Sequence, residues 1–250
     1  MLRFLYEIYK WFIAFPLIIF ITILVTTSTG LGSIIFGYKK WGYYPPHIWG
    51  KLWCWLLFIK VEVKRNAVID PNTSYVFVAN HQGVFDIFSI YGFLDHNFRW
   101  MMKKSITKIP LIGMACKYSK QILVDRSSQM AMARSVVEAR KILKDGMSLV
   151  VFPEGTRTKT GKMNNFKKGA FKLAMDFKLP LVPLTIDGAF DILPRTSIFK
   201  IKYGKITLTV HEPILPTKEK NDMESIMNKT YDAIQSALPE KHQNPIKPQS

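Results

Sequence analysis

Residues 74–91 read SYVFVANHQGVFDIFSIY, and their pattern decides the fold. Ser74 to Asn80 is a short apolar run, the mark of a buried strand. His81 to Asp86 is polar and carries Gly83, and a helix through Tyr91 follows at once. Strand, turn and helix in immediate succession make one unit of an alternating α/β domain, and the alternation recurs downstream. QILVDR (121–126) is a second short strand. Ser127 or Ser128 caps a helix that runs to about Lys144 and stops at Gly146. SLVVFPEGTR (148–157) gives a third strand, broken by Pro153, and Ala170, Leu173, Ala174 and Phe177 form the stripe of an amphipathic helix. LPLVPLTI (179–186) and KITLTV (205–210) are further strands, and Met223, Ile226, Met227, Ile234 and Leu238 mark a final helix. The expected class is α/β, with a mixed, largely parallel sheet flanked by helices.

The first sixty residues have a different character. From Trp11 to Tyr38 no formal charge occurs, with Arg3 and Lys10 before and Lys39 and Lys40 after. About 20 apolar residues span a bilayer, but Pro16 lies inside the run and TTSTGLGS (26–33) interrupts its second half. A second apolar block, IWGKLWCWLLFI (48–59), is rich in tryptophan, which favours the headgroup interface. These features predict a two-helix membrane-docking hairpin over residues 1–60. A single full span is the competing reading, and a signal peptide lacks a cleavage site here. The α/β domain is expected over 61–238, with a flexible polar tail from 239 to 250.

The 250 residues suit one α/β domain, and 48% hydrophobic content with 21% charged residues excludes a mainly disordered chain. Two cysteines exclude a disulfide scaffold, and five scattered histidines without CxxC or HExxH argue against zinc. A net charge of +17 predicts an anionic partner: nucleic acid, a membrane surface or a phosphorylated substrate.

Three strands end in polar residues. After the first, a turn at Gln82-Gly83 lets Asp86 fold back to His81, fix its tautomer through Nδ1–H and leave Nε2 as a base. After the third, Gly155 lets a ligand approach the backbone, Arg157 offers a fork for phosphate oxygens, and Glu154 and Thr156 orient that fork or bind substrate hydroxyls. Arg126 ends the second strand. Taken singly, each reads more readily as a cap, a turn or a solvated surface group. In a parallel sheet with right-handed crossovers, however, all three emerge on one edge, where ligands bind. A base and a group of cations on one rim suit deprotonation of a hydroxyl on a phosphorylated substrate.

His81-x4-Asp86 preceded by Asn80, with FPEGTR at 152–157, resembles the glycerolipid acyltransferases, most closely their bacterial members that acylate 1-acylglycerol-3-phosphate. The likeness covers roughly residues 60–215. Lys103 in KKSITKIPLIG matches a family lysine before an Ile-Pro-x-x-Gly element, Arg126 closes the second block, Val182-Pro183 matches the fourth, and Lys167 in FKKGA is a further basic position. Where the family often has glycine six residues before that arginine, this chain has Lys120. Residues 1–60 look like the family's two-helix membrane motif.

The resemblance implies transfer of a fatty acyl group from acyl-CoA or acyl-acyl carrier protein to the 2-hydroxyl of 1-acylglycerol-3-phosphate, giving phosphatidic acid for phospholipid synthesis. His81 and Asp86 would be catalytic. Lys103, Arg126, Glu154, Gly155, Thr156, Arg157 and Lys167 would bind substrate, with a backbone N–H near Gly155 or Val182 as a candidate oxyanion donor. It implies no metal and no cofactor, the thioester being already activated. The implied partners are membrane phospholipids, lysophosphatidic acid and the acyl donor, with no nucleic acid, at the cytoplasmic face of a bacterial inner membrane. Two rival readings are the same chemistry on another lysolipid, such as a lyso-ornithine lipid, and a nonenzymatic basic membrane-binding protein.

Overall fold

The chain begins with helix α1 (Leu2–Tyr9), a π-helical turn (Lys10–Ala14) and helix α2 (Phe15–Ile35), running together as one 34-residue rod. Among the described residues it is the one helix long and apolar enough to cross a membrane by length and composition. Helices α3 (Tyr38–Trp41) and α4 (Tyr44–Leu56) lead into strand β1 (Ile59–Arg65). Then come β2 (Val76–Ala79), α5 (Phe85–Phe93), β3 (Phe98–Lys103), a 3₁₀ turn (Lys104–Lys108), α6 (Ile112–Tyr118) and β4 (Ile122–Val124). The second half holds α7 (Gln129–Lys144), β5 (Ser148–Val151), α8 (Gly169–Phe177), β6 (Leu181–Asp187), α9 (Ala189–Ile192), β7 (Gly204–Val210), α10 (Asp222–Ser236) and a 3₁₀ turn (Glu240–His242). This computed structural model describes all residues except Arg126, Asp145, 198–199, 217–221 and 246–250.

The strands form one seven-stranded sheet in the order β1-β7-β6-β2-β5-β3-β4, parallel throughout except at β6–β7. The mixed, largely parallel sheet expected from the sequence is therefore present. Both faces are covered, which is why its central strands read as continuous apolar runs. Side chains alternate between faces. Phe77 and Ala79 pack with Phe85, Phe88, Phe98 and Leu184 on one side. Val76 and Val78 pack with Leu149, Val151, Phe171 and Leu173 on the other. Ser128 caps α7 as expected, its Oγ accepting the Ala131 N–H at 3.1 Å.

Three expectations are corrected. The stretch 26–33 does not break the N-terminal helix. Its hydroxyls bond back to helical carbonyls, Thr26 to Thr22 and Thr29 to Val25 at 2.7 Å each. Its glycines are points of close approach: a Cβ on Gly32 would lie 1.7 Å from the Trp41 indole, and one on Gly30 would lie 2.8 Å from Met114. Nor does Pro16 end the helix, because the wide turn just before it (Phe15 N–H to Lys10 O) absorbs the missing donor. Second, the block 48–59 is not one helix. It stops at Leu56, Phe58 turns the chain at φ +52°, and Ile59 starts β1. Third, the tail is packed through Asn244, whose side chain donates to the Met163 carbonyl at 2.8 Å, and His242 is buried.

The helical pair exists, and α4 runs antiparallel to the N-terminal rod. Trp49 donates to Thr22 Oγ1 at 2.9 Å, and Tyr9 donates to the Leu56 carbonyl at 3.0 Å. It is not a separate unit. Ala14, Ile18, Tyr43, Cys54, Leu56 and Leu57 join the same buried cluster as Phe77 and Phe98. Arg99 of β3 fastens its turn: wholly buried, it donates to the carbonyls of Tyr38, Lys39 and Phe98.

Candidate active site

Strands β2, β5 and β3 are neighbours and parallel, so the segments leaving their C-terminal ends share one edge of the sheet. Asn80 fixes the exit of β2: its side chain donates to the Ile186 carbonyl and accepts the Ile186 N–H, both at 2.8 Å. The next residue, His81, is thereby held at the rim. Its Nδ1 lies 2.7 Å from Asp86 Oδ2, and that oxygen also accepts the Gly83 N–H at 2.8 Å. Asp86 is fully buried in the first turn of α5, while the His81 side chain keeps 15% exposure. A carboxylate accepting from Nδ1 places the proton of the neutral ring there and leaves Nε2 as an acceptor. Among the described residues Nε2 has no hydrogen-bond partner. The ring stacks on Phe152 at 3.9 Å and 7°, and Phe152 in turn stacks on Trp100, so its plane is set from behind.

Glu154 is tied to this pair, though not as the sequence reading had it. It is 4% exposed and its oxygens face inward. Oε1 accepts the His81 N–H at 2.8 Å, and Oε2 accepts the Asn164 N–H and Nδ2 at 2.8 Å each. Burial pushes its carboxyl above the usual range against the opposing pull of those donors. Through these donors it ties the loop to the His81 backbone, and among the described residues no hydrogen bond joins it to Arg157. The Thr158 N–H closes the same knot on the His81 carbonyl at 2.9 Å.

Gly155 adopts φ +73°, the left-handed backbone expected of a tight turn. Its N–H donates to the Phe152 carbonyl at 3.0 Å, and Val182 lies in the ladder opposite Phe77. Thr156 is exposed and Arg157 half-buried, its guanidinium pairing with no carboxylate among the described residues. Lys103 is exposed at the end of β3, and exposed Lys167 donates its backbone N–H to the Pro153 carbonyl at 3.0 Å. Arg126 lies outside the described residues. Position 120, where lysine replaces a glycine, has φ +59°, so the turn that glycine would make is kept. Sequence reasoning missed Asn164, which has no local signal because its partner lies across a loop, and Phe152, whose ring looked like part of a strand.

The acyltransferase family model matches residues 60–187, which contain all of these groups. The chain belongs to the acyltransferase family. This acyltransferase is 28% identical over 235 residues to a 1-acyl-sn-glycerol-3-phosphate acyltransferase of Chlamydomonas reinhardtii, covering 92% of this chain and 68% of that one. To the chloroplastic 1-acyl-sn-glycerol-3-phosphate acyltransferase of Arabidopsis thaliana it is 31% identical over 176 residues, covering 69% of this chain and 49% of that one. It thus spans from half to two thirds of these relatives' lengths. The crystal structure of the 1-acyl-sn-glycerophosphate acyltransferase of Thermotoga maritima superposes on it with a TM-score of 0.74 at 27% identity, covering 93% of this chain and 95% of that one.

Proposed function

We propose that this acyltransferase moves a fatty acyl group from a thioester, acyl-CoA or acyl-acyl carrier protein, to the 2-hydroxyl of 1-acylglycerol-3-phosphate, yielding phosphatidic acid. The observation that carries the reading is the 2.7 Å contact between His81 Nδ1 and the buried Asp86, with Nε2 left open at the rim. Nε2 takes the hydroxyl proton as that oxygen attacks the thioester carbonyl. Asp86 steadies the imidazolium that results. Collapse of the tetrahedral intermediate expels the thiolate, which recovers the proton from His81, so the reaction needs no cofactor. Arg157 is the leading candidate for the acceptor's phosphate, with Lys103 on the neighbouring strand end and Lys167 nearby in sequence. Gly155 and Thr156 shape that turn. The names of the relatives support the acceptor, and a one-tailed acceptor with a two-tailed product agrees with the helical pair.

Docking on one face of a membrane is part of the proposal. The N-terminal rod touches the α/β domain near both of its ends: Lys10 donates to the Ile201 carbonyl at 3.4 Å, and Gly30 lies against Met114. Its other face exposes Phe4, Phe12, Phe20, Ile23 and Ile34. Held along its length, the rod offers this face to one leaflet more readily than it could cross the bilayer.

The test is thiol release from acyl-CoA by the purified protein, with lysophosphatidic acid or lyso-ornithine lipid as acceptor. Release dependent on lysophosphatidic acid is expected, and His81→Ala should lower it by about 10²–10⁴-fold while the protein still melts cooperatively. Wild-type rates in that variant, or preference for the phosphate-free ornithine headgroup, would defeat the reading.

A further inference from the structure

The connection from β3 to β4 carries an apolar tip that the fold leaves partly uncovered. Ile109 is 48% exposed and Leu111 38%, with exposed Pro110 between them. Leu111 is held at φ +61°, a backbone conformation that a side-chain-bearing residue rarely adopts and that turns up where function demands it. The surrounding charge has one sign. From His96 to Val124 there is no Asp or Glu, while Lys104, Lys108, Lys117 and Lys120 are all exposed. Of these, Lys104 is paired with Asp125. Tyr118, at the end of α6, is 38% exposed beside Lys117.

Position supplies the partner. Helix α6 packs on α2, with Met114 seated at Gly30, so the tip is joined directly to the N-terminal rod. It also follows directly from the end of β3, on the edge that holds His81. We propose that Ile109–Leu111 is a second membrane contact, a wedge that enters an anionic leaflet while the lysines meet lipid headgroups. An apolar tip ringed by cations fits a bilayer interface, where burial and charge act together. The wedge would bring the rim down to the depth of the acceptor's headgroup. The inference rests on the membrane reading of the N-terminal helices but concerns an element apart from them.

The experiment uses the full chain in phosphatidylglycerol vesicles containing a brominated lipid. A fluorophore is attached to a single added cysteine at Phe12→Cys, Ile109→Cys or Val68→Cys, the native Cys54 and Cys116 being buried. Val68 is fully exposed but lies beside Leu94 and Asp95, at the end of α5 remote from His81. Loss of fluorescence at positions 12 and 109, and none at 68, is the expected result. Quenching at 12 without quenching at 109 overturns the wedge and leaves the helical anchor standing. No quenching at 12 or 109 removes the membrane reading and the wedge together. Shielding of position 109 by added acyl carrier protein, without lipid quenching, would assign the face to a protein donor and also overturn the proposal.

Discussion

Glutamine at position 154 would match glutamate in size and fail in chemistry. Both oxygens of Glu154 accept, from the His81 N–H on one side and from two Asn164 donors on the other. A side-chain amide must turn its NH₂ toward one of them, setting donor against donor in a buried place. Glu154→Gln should therefore cost about 1–3 kcal/mol of stability and lower kcat well beyond that, because the strand exit carrying His81 is released. Thermal melts and steady-state rates on the same preparation check it, and normal kcat would show that the knot is not needed for catalysis. Lys120 gives a prediction of opposite sign. At φ +59° it occupies a conformation that glycine adopts freely, so Lys120→Gly should raise stability by about 0.5–1 kcal/mol despite the looser unfolded chain. A melting temperature higher by about 2 °C is the expected reading, and a lower one would mean that the lysine side chain contributes packing not evident in its exposure.

At the scale of elements, the C-terminal segment is what holds the loop after FPEGTR. Asn244 donates to the Met163 carbonyl at 2.8 Å and to the Tyr231 hydroxyl at 2.6 Å. The neighbouring His242 ring sits against Gly161, whose carbonyl accepts from Gln82. Through Asn164 and Thr158 the same loop reaches Glu154 and His81. Asn244→Ala should lower kcat by about 10–100-fold with KM for the acceptor little changed, since small displacements of a catalytic group are costly. Unchanged kcat below the melting temperature would make the contact structural only. None of this was visible in residues 239–245, which are polar and look like a tail, because their partners lie far away in the chain. The same cause hid β3: FRWMMK carries Arg99, and a buried cation held by uncharged partners imitates a surface strand end. By contrast β2, β5, β6 and β7 were plain as apolar runs. His81, Asp86 and Arg157 were plain because they follow such runs directly. TTSTGLGS misled because small residues mark either a break or a packing face, and only the arrival of Trp41 and Met114 decides between them.

For the whole molecule, the helical pair belongs to the core as much as to any membrane. A chain starting at Val61 would cut into β1 and remove Ala14, Ile18, Tyr43, Cys54, Leu56, Leu57 and Ile59, all buried. At about 1.5–3 kcal/mol for each of the larger side chains, that burial is comparable to the roughly 5–15 kcal/mol by which domains are stable. The truncated protein should show no cooperative melt by circular dichroism, rather than persist as a soluble enzyme that has lost its anchor. A folded, active product would mean that the two parts are separable after all.

The outermost strand has a consequence for how the chain is made. Among the described residues β1 has one neighbour in the sheet, β7, with Ile59 opposite Gly204 and Arg65 opposite Val210. Synthesis therefore delivers the N-terminal helices and β1 early, while the strand that receives them emerges only when nearly the whole domain is out. Throughout that interval β1 has no strand to pair with, and the apolar face that the N-terminal rod turns away from the domain can rest on a nearby bilayer. Bringing β1 to β7 is then the closing event of folding, and a nascent chain stopped short of Gly204 should stay protease-sensitive across β2 and β5 even though both strands are already present.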